Sequence, residues 1–393
     1  MLFLSVLGIL GLYIYMMLNK DLREKLNLLS RKNNAEIIDK MSLINKAFPG
    51  DFNYSIGEAA ILEKYGRYLP ITDHWLFSII QPCIRINDFF VNKKSDTGLN
   101  FYLALFEMAD IGGISWTNNR EEISEVRKNS IQKTYNFLVN ELSIDSARIY
   151  INYFSGSTIK ELSGGRIPSD KYLKADLETV DCWQKLGLSD RQLVPDATQK
   201  TFVLTFFPFE FYAGYRSEVF IRIKDVMEPV EVGTFQFLDL QTKLDKSGQF
   251  YDIIPMKGFF GGSVIGIERL LCAANEFSDI YLCDHIRSLY EEIIKNSRKK
   301  DLVSARILTE AIRLMHAIIT DSCSLSGGIQ EKRRYKLRKI VKKAVISAST
   351  LKLDFKELLP SLFISNAELN SWNPELKESC KKAISIISKF MGI

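Results

Sequence analysis

The sequence predicts an α+β fold in which an antiparallel sheet flanked by helices is followed by an all-α domain. Segments rich in Val, Phe, Tyr and Thr, such as SEVFIRI (217–223) and EVGTFQFLDL (231–240), follow one another with only short polar turns between them. Strands joined in this way pair antiparallel. Beyond about Ile265, apolar residues recur three and four positions apart, which indicates helices. The chain has 393 residues, of which 46% are hydrophobic and 25% charged, and these proportions favour globular domains over extended disorder.

The chain begins with an uncharged apolar segment, residues 2–18, which reads LFLSVLGILGLYIYMML. Its length is at the short end of the roughly 17 to 25 residues that cross a bilayer as a helix. Basic residues follow at once, beginning with Lys20 and Arg23, and the positive-inside tendency would keep the rest of the chain in the cytoplasm. We therefore expect a cytoplasmic protein that is anchored to a membrane by residues 1–19, with a buried core helix as the alternative. Residues 20–46 are predicted to form a helical connector.

The six cysteines are scattered through the chain without a C-x-x-C pair or a partnering cluster of histidines. We therefore expect neither a zinc site nor a disulfide framework, and reduced thiols suit a cytoplasmic protein. The lone histidines His74, His285 and His316 also lack the spacing of metal ligands, and we expect structural roles for them.

Two segments carry arginines where they could hold a nucleoside triphosphate. In the first, QPCIR places Arg85 at the end of a predicted strand, and Glu107 lies beside Phe106 on the returning strand. An arginine on a rigid sheet can bind phosphate through two hydrogen bonds. In the second, GGSVIGIERLL (261–271), glycines lead into a helix whose first turn carries Arg269, and a helix N-terminus favours anions. Taken singly, these segments also suit an exposed hairpin and an ordinary helix start.

Taken together and in this order, three short segments resemble the alanyl-tRNA synthetases. QPCIR (81–85) and FEM (106–108) are similar to motif 2 of that family and its return strand, and GIERLL (266–271) is similar to motif 3. LGLSDRQL (186–193), SEVFIRI and EVGTFQFLDL fall where the family has similar segments.

The resemblance runs from about Ile71 to Thr350 and does not include the editing domain of the family. It implies a class II synthetase-like catalytic domain in residues 47–277. Residues 278–393 would then form a helical, basic domain like the one that binds the tRNA acceptor stem.

The resemblance also implies that ATP and Mg²⁺ bind on the sheet. Arg85 would hold the α-phosphate of ATP and Arg269 the γ-phosphate, and these are the two implied catalytic residues. Glu107 would lie near the adenine or the metal-bound phosphates, with Phe106 and Glu268 also in the ATP site. Fixed arginines and Mg²⁺ stabilise the negative charge that builds when an amino-acid carboxylate attacks the α-phosphorus.

The implied amino-acid pocket departs from the pattern of the family. Met108 would line the pocket, and Thr234 stands where the family has an asparagine. Gly262 replaces the aspartate that holds the substrate ammonium, and Gly233 replaces a tryptophan. Because an unpaired ammonium is expensive to bury, selection of alanine does not follow, and the amino acid is either alanine or a different one.

The segment RRYKLRKIVKKAV (333–345) predicts a helix with a dense basic surface. Its candidate tRNA-binding residues are Arg333, Arg334, Lys336, Arg338, Lys339, Lys342 and Lys343. The family context favours tRNA as the partner. A solvated helix face and an anionic membrane surface are the alternatives.

The leading hypothesis is an alanine–tRNA ligase-like enzyme that forms an aminoacyl adenylate from ATP and charges tRNA or another acceptor. A non-catalytic paralogue that binds tRNA or a partner protein is one alternative, which the glycine at position 262 favours. A repurposed ligase that acts on a carrier protein is the other.

Overall fold

A computed structural model describes residues 16–44, 51–54, 74–90, 101–115, 117, 119–204, 212–244, 250–323 and 331–391. They form a mixed α/β structure with a large, mostly antiparallel sheet, in agreement with the predicted combination of sheet and helices.

The strands form one large sheet and one small one. They are β1 (Glu36–Ile38), β2 (Trp75–Ile84), β3 (Leu105–Ser115), β4 (Ile149–Phe154), β5 (Ser157–Thr158), β6 (Tyr172–Leu173), β7 (Leu193–Asp196), β8 (Phe202–Leu204), β9 (Tyr212–Ile221), β10 (Val230–Leu244) and β11 (Phe250–Gly266). The large sheet has the order β1-β2-β3-β11-β10-β9-β4-β7, with β8 also paired to β9, and β5 pairs with β6 separately. Only the β1–β2 and β4–β7 pairs of the described residues are parallel.

Among the described residues, one α-helix precedes the first strand, four lie between strands and six follow the last strand. They are α1 (Asn19–Lys32), α2 (Ile86–Phe90), α3 (Arg120–Asn136), α4 (Ile159–Leu162), α5 (Leu177–Lys185), α6 (Ile267–Asn275), α7 (Asp284–Asn296), α8 (Leu302–Cys323), α9 (Glu331–Thr350), α10 (Phe355–Leu369) and α11 (Pro374–Met391). From α6 onward the described chain contains no strand, as the change of apolar spacing predicts.

The large sheet has two faces, because side chains alternate between them along each strand. The helix-covered face carries Ala109, Val219 and Ile265, which pack in one core with α1, α3, α5 and α6. The opposite face, which we call the front face, carries Met108 and a smaller apolar cluster to which no described helix contributes. A second large core joins α7 to α11 with the adjoining ends of β2 and β3, through residues such as Leu105.

The end of the predicted anchor and the segment after it are fastened to the body of the protein. Leu22 and Leu26 of α1 are buried in the core under the sheet, and the backbone N–H of Met17 donates to Oδ1 of Asn275 at 2.8 Å. The predicted connector therefore contains a packed helix, and the strand β1 that follows it extends the sheet. Most of the predicted anchor, residues 1–15, lies outside the described residues. In the part that is described, no helix has the length and apolar character needed to cross a membrane.

Candidate functional site

The front face brings polar and apolar side chains together in rows that run across the strands. In one row, Ile79 of β2 lies opposite Asp110 of β3, which lies opposite Val264 of β11. The row continues to Thr234 of β10 and Glu218 of β9. Directly opposed residues in antiparallel strands share a face. The front face therefore carries two carboxyl groups in one row, separated by Val264 and Thr234.

The two predicted phosphate-binding arginines lie against aromatic rings just before β3 and at its start. The exposed Arg85 follows β2, and its guanidinium carbon is 5.0 Å from the ring centroid of Phe106. The guanidinium carbon of Arg269 is 4.8 Å from the ring centroid of Tyr102. Arg269 Nε also donates to the carbonyl oxygen of Phe101 at 3.1 Å. The structure thus brings both guanidinium groups to the 101–106 segment, on two rings four positions apart.

Arg269 is held by groups that an anionic ligand could replace. Its Nη1 donates to the carbonyl oxygen of Glu231 at 3.2 Å and lies 3.4 Å from the Glu231 carboxylate. That carboxylate is 42% exposed, whereas the Arg269 side chain is 19% exposed, so solvent screens the pair from the Glu231 side. A polyphosphate could compete for the same guanidinium.

Glu107 and Glu268 have partners other than the two arginines. Glu107 is consecutive with Phe106 and Met108 on β3, so its side chain points to the helix-covered face. It is buried there, 2.6 Å from Nη1 of Arg23 and 3.3 Å from the side-chain amide of Asn19. The predicted ATP-binding carboxylate is therefore occupied in joining α1 to the sheet.

The carboxylate of Glu268 accepts a backbone hydrogen bond where the pairing of β3 with β11 ends. The pairing of β3 with β11 stops at Met108, and the next N–H, that of Glu107, donates to both carboxylate oxygens of Glu268 at 3.2 and 3.0 Å. Arg313 and His285 approach Glu268 at 3.6 and 3.5 Å. Burial opposes its charge, but these two cations hold the pKa of Glu268 below its usual value. Glu268 thus joins β3, α6, α7 and α8.

His285 lies between two carboxylates. It is buried on α7, with Nδ1 3.6 Å from Asp284 and Nε2 3.5 Å from Glu268. Burial disfavours its charged form, but the two carboxylates hold the pKa of His285 above its usual value.

The three predicted amino-acid pocket residues lie on neighbouring strands. Met108 is on the front face opposite Gly266. Thr234, in the row described above, donates from Oγ1 to Oε2 of Glu218 at 2.5 Å. Gly262 of β11 lies opposite Gly112 of β3.

The backbones of β3 and β11 approach closely at this glycine pair. A Cβ atom at position 262 would lie 2.7 Å from the carbonyl oxygen of Ile111 and would also clash with the Cα of Gly112. Position 262 therefore has no room for an aspartate or any other side chain. The glycine that departs from the family pattern is required by the packing of the strands.

Asp110 is a candidate site residue that the sequence interpretation missed. It is 1% exposed, and Oδ2 has no hydrogen-bond donor among the described residues. Burial raises the pKa of Asp110 from 3.8 to about 7. An acidic residue inside the apolar strand FEMADIGGIS was the signal that could have identified it.

Glu218, the second missed carboxyl group, has partners. Its Oε1 lies 3.1 Å from Nε of Arg216, and Oε2 accepts the Thr234 hydroxyl. Burial raises the pKa of Glu218 to about 7 in spite of the Arg216 charge.

The predicted tRNA-binding residues divide between two sides of α9. Arg333, Lys336 and Lys343 face the body of the protein. Arg333 Nε donates to the carbonyl oxygen of Asp51 at 2.6 Å, Lys336 pairs with the Asp51 carboxylate at 2.7 Å, and Lys343 donates to the carbonyl oxygen of Phe89 at 2.5 Å.

The other four predicted tRNA-binding residues are exposed, and we call them the basic face: Arg334, Arg338, Lys339 and Lys342. Arg334, Arg338 and Lys342 follow one another at intervals of four residues, so they form one line along the helix. Tyr335, which is 56% exposed, lies next to this line, with Lys339 Nζ 4.6 Å from its ring centroid. A line of cations with an exposed aromatic ring suits a nucleic-acid backbone.

Within the described ranges, no group of three or more His, Cys, Asp or Glu side chains is arranged to hold a metal ion. Mg²⁺ in nucleotide sites is held mainly by phosphates and water with one or two carboxylates. Glu231, beside Arg269, is a solvated carboxylate that fits this lesser requirement.

The chain matches no family model, and no curated protein matches it.

Proposed function

We propose that this protein is an ATP-dependent, aminoacyl-adenylate-forming ligase of the class II synthetase type, similar to the alanyl-tRNA synthetases, and that it charges tRNA. The observation that carries the proposal is the common location of Arg85 and Arg269. They are 184 positions apart in the chain, yet both guanidinium groups lie on rings of the 101–106 segment. A triphosphate that spans this segment would contact both.

The chemistry assigned to this end of the front face is phosphate binding and charge stabilisation. Arg85 holds the α-phosphate, and its exposed guanidinium is available without breaking an ion pair among the described residues. Arg269 exchanges the solvated Glu231 carboxylate for the γ-phosphate. Mg²⁺, bound with the nucleotide, neutralises the remaining phosphate charge. Preorganised cations act in this way on charge that develops in the transition state.

The geometry revises the list of nucleotide contacts. Phe106 remains a candidate for stacking, because it is half-buried on the front face. Glu107 and Glu268 are assigned instead to the ion network that supports the strand ends. They would position β3 without touching ATP.

The amino acid is assigned to the part of the front face next to the α-phosphate site. Met108 and Thr234 line it, and the glycine pair of β3 and β11 forms its floor. The acceptor is assigned to the basic face of α9, where phosphate contacts would supply most of the binding energy.

ATP–pyrophosphate exchange, scanned over all twenty amino acids, tests the proposal. Exchange is expected with one amino acid or a few, and Arg269→Ala should weaken ATP binding by at least about 10-fold, because a charge-assisted bond to phosphate is worth about 1.5–3 kcal/mol. Arg222→Ala is the matched control. Arg222 is exposed and, like Arg269, lies over a tyrosine ring, that of Tyr150 at 5.0 Å, but it is outside the assigned site.

Two results would contradict the ligase. The first is an equal loss of ATP binding in Arg269→Ala and Arg222→Ala. The second is ATP binding without exchange for any amino acid. If tRNA were nevertheless retained with a steep salt dependence, the non-catalytic paralogue would replace the ligase.

A further inference from the structure

The carboxyl group of Asp110 is the feature of the front face that the protein itself leaves unsatisfied. Its Oδ2 is buried and lacks a donor among the described residues. Its opposed neighbours in the row are Ile79 and Val264, and its neighbours along the same face of β3 are Met108 and Gly112. None of these side chains carries charge or donates a hydrogen bond. A buried carboxylate in such surroundings is costly unless something pairs with it.

The close glycine pair determines where this carboxyl group lies. A Cβ atom at Gly112 would be 2.9 Å from Oδ1 of Asp110, so the carboxyl group occupies the space above Gly112 that a side chain would otherwise fill. Gly112 is directly opposite Gly262. The carboxyl group of Asp110 is thus held beside the position where β11 has no room for a side chain.

We infer that Asp110 is the anchor for a primary ammonium group of the ligand bound on the front face. The inference rests on the proposed function, because it assigns the ammonium to the amino-acid part of the adenylate.

An ammonium group suits this site better than the other cations that pair with carboxylates. Mg²⁺ and Ca²⁺ need several oxygen ligands, and the neighbours of Asp110 offer apolar side chains and glycine. A guanidinium group prefers to bind both carboxylate oxygens in one plane, but Oδ1 is packed over Gly112. One ammonium reaching Oδ2 satisfies the buried acceptor.

A ligand would have to reach Asp110 over the less buried residues of the front face. Phe106, Val264 and Thr234 on the same face are half-buried, whereas Asp110 is almost fully buried. A ligand that enters over these residues loses water around its ammonium. In that setting the pair is stronger than it would be in solvent.

Two adenylate mimics that differ by one ammonium group test the inference directly. The probes are 5′-O-(N-glycylsulfamoyl)adenosine and its acetyl counterpart, and glycyl is small enough to suit a pocket for any amino acid. Their affinities would be measured by calorimetry at about pH 7.5, where most of the Asp110 carboxyl is ionised and most of the glycyl amine is protonated. The wild-type protein should prefer the glycyl probe by at least about 10-fold. Asp110→Asn should abolish the preference and leave the affinity for the acetyl probe unchanged.

Two variants separate Asp110 from other carboxylates. Glu218→Gln removes the other front-face carboxyl of the same row, which already has Arg216 and Thr234 as partners. Asp181→Asn removes an exposed carboxylate of α5 that pairs with Lys185. Both should keep the preference for the glycyl probe. Thermal unfolding of each variant checks that it is folded.

Each outcome decides the matter. If the wild-type protein does not prefer the glycyl probe, or if Asp110→Asn keeps that preference, the inference is overturned. The proposed function is still supported in that case if either probe binds. If Glu218→Gln, and not Asp110→Asn, loses the preference, the anchor is Glu218 and the inference is wrong. If neither probe binds to wild type, the proposed function fails, and the inference fails with it.

Discussion

Replacing Asp110 with asparagine should remove a destabilisation of the native protein that grows with pH. The pKa of Asp110 rises from 3.8 to about 7 because of burial. The native protein therefore binds this proton more tightly than the unfolded chain does. The free energy of unfolding that Asp110 contributes is greatest below about pH 4 and is lost as the pH rises through about 7.

The size of the effect follows from the shift. A rise of about 3 pKa units, at about 1.4 kcal/mol per unit, is worth about 4 kcal/mol over the whole range. Between about pH 5 and pH 8, the contribution of Asp110 to the free energy of unfolding should fall by about 3 kcal/mol. The buried amide that the substitution introduces has its own unmet hydrogen bonds, at about 1–3 kcal/mol, but this cost does not change with pH. Asp110→Asn should therefore gain stability relative to wild type as the pH rises.

Urea unfolding followed by circular dichroism, at several pH values from about 5 to 8, measures this difference. Glu218 also has a pKa raised to about 7, but it titrates in both proteins, so subtraction of the two curves isolates Asp110. Parallel stability curves for wild type and Asp110→Asn would refute the reasoning, because they would mean that the Asp110 carboxyl is solvated or paired in the native protein.

Three further predictions concern the rest of the structure. Neutralising Arg334, Arg338 and Lys342 together should weaken tRNA binding and lower the slope of log affinity against log salt by about 3, as measured by filter binding. Glu268→Gln should lower the free energy of unfolding by about 3–5 kcal/mol, as measured by urea unfolding, because buried cations lose their counterion. Gly262→Ala should lower it by about 1–3 kcal/mol, because the added Cβ meets the backbone of β3.

Each of these predictions has a matched control. Neutralising Lys128, Lys160 and Lys185, three exposed lysines outside α9, should leave the salt slope unchanged, and an equal effect would mean that binding is not localised to the basic face. Glu291→Gln, in an exposed pair with Arg287, should change stability by less than about 1 kcal/mol; a similar loss would contradict the buried network. A Cβ atom at Gly266 would lie 3.8 Å from its nearest atom, so Gly266→Ala is the control for Gly262→Ala. An equal loss of stability in the two variants would argue against the close approach of β3 and β11 at Gly262.

The elements of the fold could be predicted because their signals are local. Apolar residues three and four apart indicated the region of α8, and the β-rich segments at 217–223 and 231–240 fall within or overlap β9 and β10. The position of Glu107 could also have been predicted. Side chains alternate along a strand, so Glu107 and its neighbour Phe106 must lie on opposite faces of the sheet. The short strand β1 was not predictable, because its three residues gain their strand conformation from pairing with β2, far along the chain.

The sequence by itself determined the residue types that could serve a phosphate site, and their order along the chain. Only the tertiary structure decided which of them meet. It placed Arg85 and Arg269 against one segment and turned Arg333, Lys336 and Lys343 of α9 inward. It also left Oδ2 of Asp110 without a donor among the described residues. The physical reason is that partners and burial depend on which strands and helices pack together, and contacts between distant parts of the chain leave no periodic trace in the sequence.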